Sequence, residues 1–198
     1  MQPVPAGIRS LEFLPEQEIA GLLAELGVTK TPQGEACVRL EMDSARCDEQ
    51  DCLCREGSSE DTTVQCCFLG EERLIEATCE AARRIHQGQT VLIPAGKWRS
   101  VFDAVAFSMA TSEVWQEFDA SATTMLNTRD PLLCESGDEQ VMIDLIHAIM
   151  RDGEGVEQSV FLVPTGTPVL MHIQPAGPVR LWFGTQVTAD EVSGAYKD

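Results

Sequence analysis

Apolar residues recur along this chain with two spacings, one near three and four residues and one of two, and the alternation between them sets out the elements. The first clear stretch is helical. Pro15 suits a first helical position, and Glu16 and Glu18 stand where the helix dipole favours acids. Ile19, Leu22, Leu23 and Leu26 follow the i, i+3, i+4, i+7 rule, and Gly27 supplies the stop. A strand follows, in which Ala36, Val38, Leu40 and Met42 alternate with Cys37, Arg39 and Glu41. A loop over 43–61 leads to a second strand, TTVQCCFLG, with Val64, Cys66 and Phe68 expected on the core face and Gln65 and Cys67 on the polar one.

Helical spacing returns over 71–86, where Leu74, Ile75, Thr78, Ala81, Ala82 and Ile85 form the apolar stripe. The run TVLIP, 90–94, reads as a buried strand. The run 100–110 (SVFDAVAFSMA) is ambiguous: its alanines and the Ser100/Asp103 pair suit a helix, while its place in the layout suits a strand, and it is read as a strand. SEVWQEFDA and SATTMLNTRDPLL are read as two more strands. Ser136 and Glu139 have the spacing of a capping box, opening a helix on Met142, Leu145, Ile146 and Ile149. SVFLVP, TPVLMHIQ and PVRLWFGT, parted by tight-turn Gly/Pro clusters, predict an antiparallel meander. The polar residues 189–198 read as a flexible tail.

The expected fold class is α+β: one globular domain over 1–198, with a largely antiparallel sheet and about three helices on one side. Stretches 62–119 and 121–185 both read as strand, helix, three strands. That similarity is either an internal repeat or a coincidence between amphipathic segments of equal length.

Composition narrows the function classes. A chain of 198 residues with 43% hydrophobic content can bury a core and lies outside the disordered regime. Net charge is −18, with three lysines against eleven arginines, so phosphate backbones and anionic membrane surfaces are repelled. The partner expected is therefore a protein, with no nucleic acid and no membrane; the charge leaves the oligomeric state open. No apolar run approaches a membrane span, and the first residues show no charged leader with an apolar stretch. The expected address is cytoplasmic, where thiols stay reduced.

Candidate chemistry begins with sulfur. Five of the eight cysteines fall within positions 47–67, among them Cys47, Cys52 and Cys54 interleaved with Asp48, Glu49 and Asp51. Folding of the loop onto its flanking strands would add Cys67 and Cys37, enough thiolates for zinc at an irregular spacing. The neighbouring carboxylates attract cations but also disfavour thiolates. Metal binding, disulfide bonding and thiols with no special role all stand as readings, the last preferred, so no cofactor is assigned. Iron–sulfur ligation is disfavoured because only Leu53 separates Cys52 from Cys54.

His86 ends a helix, His147 shares a solvated helical face with Asp144 and Arg151, and His172 lies in a strand opposite Met171 and Ile173. Asp119, Asn127 and Arg129, with His172, are candidate pocket residues at one edge of the sheet, against a plainer role in turns. No nucleophile elbow, zinc-protease motif, phosphate loop or dinucleotide fingerprint occurs. The preferred reading is a non-catalytic binding or assembly module, with an enzyme disfavoured. The alternative is a metal- or redox-responsive protein centred on Cys47, Cys52, Cys54 and Cys67.

Overall fold

In the computed structural model, residues 12–13, 36–42, 63–113, 115–116, 126–167, 169–183 and 186–196 are described. The helix expected over 15–27, the cysteine loop and Asp119 lie outside them. The elements are β1 (Glu12–Phe13), β2 (Ala36–Met42), β3 (Thr63–Leu69), α1 (Glu71–Ile85), β4 (Thr90–Pro94), α2 (Trp98–Met109), β5 (Leu132–Cys134), α3 (Glu139–Asp152), a 3-10 turn (Val156–Gln158), β6 (Val160–Pro164), β7 (Val169–Ile173), β8 (Val179–Phe183) and α4 (Gln186–Gly194). Among the described residues eight strands form one sheet, in the order β1–β5–β4–β6–β7–β8–β2–β3. Every pairing is antiparallel except β2 with β3, which run parallel with Leu40 opposite Cys67. The class is α+β, as the two spacings predict.

The helices share one core. Leu92, Leu132, Leu162, Met171, Ile173 and Leu181 from the strands join Leu74, Val101, Phe102, Leu145, Ile146 and Ile149 from the helices in a single buried cluster, with Ala189 of α4 added to it. The opposite face of the sheet carries a smaller cluster, Val91, Val163 and Leu170, edged by Ile93, Leu133, Phe161 and Trp182. Strand alternation divides the two sets: in β7, Val169, Met171 and Ile173 face the helices, while Leu170 and His172 face away. The meander β6–β7–β8 stands as the turn chemistry predicts.

Several expectations need correction. The run 100–110 belongs to helix α2, whose stripe Trp98, Val101, Phe102, Val105 and Met109 is buried at helical spacing. Its first turn is completed from outside the helix, since the Thr128 carbonyl accepts from Trp98 N–H at 3.3 Å and the Leu126 carbonyl from Arg99 N–H at 2.7 Å. In SEVWQEFDA, residues Glu113, Trp115 and Gln116 are helical rather than extended. Trp115 packs edge-on against Phe102, ring centres 4.5 Å apart, which explains the turn of chain. Of SATTMLNTRDPLL, residues 126–130 form a turn and Leu132–Cys134 is the strand. The N-cap of α3 is Asp138 and not Ser136, and no side chain caps it, because the Asp138 carboxylate accepts from Glu135 N–H at 2.8 Å instead. Cys67 is buried in the helix-side core and is not on a polar face. Both alternating sets of β3 are partly apolar, so a shift by one residue exchanges its faces without changing the pattern.

The two stretches resembling a repeat share only strand–helix–strand, β3–α1–β4 and β5–α3–β6. Beyond that point the first continues as α2 where the second continues as β7, so no strand-helix-three-strand module is duplicated. In the stretch read as a polar tail, α4 buries Ala189, and Val192 and Tyr196 pack on the core.

Candidate functional site

Helix α3 is the centre of the helical layer, with α1 on one side and α2 on the other. Val141, Met142, Ile143, Leu145, Ile146, Ala148, Ile149 and Met150 are all buried, which leaves one narrow wet stripe, Gln140, Asp144, His147 and Arg151, at spacings of four, three and four. The α1 side of the seam holds a buried thiol and an ion pair. Cys79 is buried there, desolvation raising its thiol pKa, and at the rim Arg83 Nε lies 3.2 Å from Glu139 Oε1.

On the α2 side the seam opens into a groove of about 460 Å³ lined by both helices. Helix α2 and the residues after it bring Phe107, Ser108, Thr111 and Ser112; α3 brings Asp144, His147 and Arg151. Buried Met109 and Ala148 complete an apolar floor. Phe107 is 93% exposed, whereas Phe102, five residues earlier on the same helix, is buried. On a 3.6-residue period Phe107 falls beside Arg99 and Asp103, on the solvent side of α2.

Hydrogen bonding in the groove is structural. Ser108 Oγ donates to Asp152 Oδ2, joining the ends of α2 and α3. Ser112 Oγ accepts from Trp115 N–H at 3.2 Å, and Asp144 Oδ1 accepts from Gln140 Nε2 at 2.7 Å. Arg151 Nε stands 3.9 Å from Asp152 Oδ1. Ser108 is thus tied to the Asp152 carboxylate where the ends of the two helices meet. The groove offers an apolar floor, an aromatic rim and both signs of charge: binding chemistry, in the size range of ligand clefts.

A second polar group lies across the sheet. The His172 ring stacks on Phe161 at 4.1 Å between centres and lies 6.5 Å from Trp182. Ser159 Oγ is 2.6 Å from the Val156 carbonyl, to which it donates its one proton, so His172 Nε2, 3.2 Å from Ser159 Oγ, is the donor in that pair. Burial, with the Arg180 charge nearby, lowers the His172 pKa to about 4, which keeps the ring neutral. Asn127 and Arg129 are exposed in the turn that completes α2. His86 is buried at the end of α1, Nδ1 2.7 Å from Thr90 Oγ1, with no hydrogen-bond partner for Nε2.

The sulfur candidates divide. Cys47, Cys52 and Cys54 lie outside the described residues, and Cys37 sits in β2 in register with Val64 and Trp182. Cys67, Cys79 and Cys134 are buried, Cys79 and Cys134 as free thiols, and burial raises the pKa of Cys134 strongly. Among the described residues no three His, Cys, Asp or Glu side chains are placed to hold a metal ion. No helix among the described residues is long and apolar enough to cross a membrane.

The solvated stripe of α3 follows directly from its spacing. Phe107 escapes a strand reading of VFDAVAF, which puts it on one face with Val101, Asp103 and Val105; the helical wheel of α2, with an aromatic on its charged side, is the signal that finds it. Compared with protein-family models, with curated proteins and with solved structures, the chain finds no match.

Proposed function

We propose that this protein is a non-catalytic binding module whose docking surface is the groove between α2 and α3. One observation carries the reading: a phenylalanine 93% exposed beside a 460 Å³ groove with an apolar floor. A single exposed aromatic is ordinary on a protein surface; placed at the rim of a groove with an apolar floor, it supplies the kind of anchor that partner-binding surfaces use. A cytoplasmic address belongs to the same proposal, supported by the buried thiols Cys79 and Cys134.

The test places a photoreactive benzoyl-phenylalanine at position 107 and, as a control, at Val187, which is 67% exposed on α4. In extract of the native cell, position 107 is expected to give a discrete adduct that position 187 does not. The same adducts from both positions would refute the reading.

The alternative, a metal- or redox-responsive protein centred on Cys47, Cys52, Cys54 and Cys67, is supported by the cysteine density at 47–67. Metal analysis of tag-free protein separates the two. About one zinc or iron per chain, lost on C52S/C54S substitution, would replace the binding-module reading.

A further inference from the structure

We infer that the occupant of the α2/α3 groove is a cationic amphipathic segment of another protein, with an apolar side chain set against Phe107 and lysine or arginine beside it. The inference rests on the docking role of the groove and adds the chemistry of the partner. Three features favour a cation. The chain carries a net charge of −18, which repels a second copy of itself and steers basic proteins toward it. The groove opens at the carbonyl end of α2, whose last turn contains no basic residue, so no cation from α2 itself offsets the negative end of its dipole. Asp144 accepts a hydrogen bond from neutral Gln140 and forms no ion pair among the described residues.

The positive groups in the groove do not reverse this balance. Arg151 has the Asp152 carboxylate of its own helix 3.9 Å away, and with Asp144 in the lining the carboxylates around the groove outnumber this cation. The exposed ring of Phe107 adds a face on which an ammonium or guanidinium settles favourably. The apolar floor of Met109 and Ala148 takes the hydrophobic anchor. An acidic amphipathic segment lacks the cation, and a polar cationic segment lacks the anchor.

Three fluorescein-labelled 14-residue peptides test this on the full chain by anisotropy: a helical Lys/Leu amphipath, a Glu/Leu peptide of the same spacing and a Lys/Ser peptide. The Lys/Leu peptide is expected to bind most tightly, about tenfold or more weaker to F107S and several-fold weaker to D144N, with V187S unchanged. Its affinity is also expected to fall as salt rises. If F107S weakens the Glu/Leu peptide as strongly as the Lys/Leu one, the groove docks partners but the cationic assignment is overturned. If F107S changes the binding of no peptide, the cationic inference fails here, and adducts shared by positions 107 and 187 would take the docking role down separately. Thermal unfolding of F107S and D144N checks that both keep the wild-type fold.

Discussion

The two flanks of α3 are built from the same helix and differ in what closes them. Toward α1, the seam holds the buried Cys79 and the Arg83–Glu139 pair; toward α2, a Ser108–Asp152 hydrogen bond joins the helix ends beside an open groove. The partner helices differ in what they bury. Helix α1 buries several small side chains, Ala77, Ala81 and Ala82. Helix α2 buries larger ones, Trp98, Phe102 and Met109, and the groove opens at its C-terminal end. The first flank carries an ion pair at its rim, and the second carries the docking surface proposed above.

Removing the largest buried side chain of α2 is the strongest way to break this contrast. Trp98 is fully buried, donates its Nε1 proton to the Asp130 carbonyl at 2.7 Å and lies 5.6 Å from Phe102 between ring centres. W98A is expected to cost about 3–5 kcal/mol in denaturant unfolding. It should also collapse or widen the groove, read as loss of Lys/Leu peptide binding under conditions where the variant is still folded.

The open flank became visible only through tertiary structure. Helices α1 and α3 were legible because their stripes are long and their flanks polar. Helix α2 was not, because its stripe begins at Trp98, two residues before the run that looked like an element, and because its first turn is completed by carbonyls nearly thirty residues on. Asn127 and Arg129 share the turn that supplies those carbonyls. His172 lies on the far face of a neighbouring strand, and strand alternation alone placed it opposite Met171 and Ile173. The side of β3 that Cys67 occupies was not readable, since either register buries something oily.

Acid provides the next largest effect and bounds the conditions in which the flanks can be compared. The His172 pKa is lowered from 6.5 to about 4 in the folded chain, so between these values the unfolded chain binds a proton that the folded one does not. The stability contribution is complete above pH 6.5 and is lost as pH falls to about 4, by up to about 3 kcal/mol. Denaturant midpoints measured across pH 4–7 should show this slope, and H172L should flatten it. A slope unchanged in H172L would assign the loss to other groups.

The smallest effect sharpens the contrast between the two rims. Arg83 and Glu139 are 49% and 43% exposed, so R83A is expected to change stability by no more than about 0.5 kcal/mol. F107S should be equally mild by calorimetry, since the ring is already in water. The two differ in recognition: R83A should leave Lys/Leu peptide affinity unchanged, whereas F107S should abolish most of it.

The order of the sheet bears on how the chain matures. Among the described residues β2 and β3 join the other strands only through β8, and α4 packs across β2, β3 and β8. An early pair of strands therefore waits for β8, more than a hundred residues on, before it can enter the sheet. Nascent chains stalled before Val179 are expected to recruit chaperones, and those extended through β8 and α4 to recruit them less.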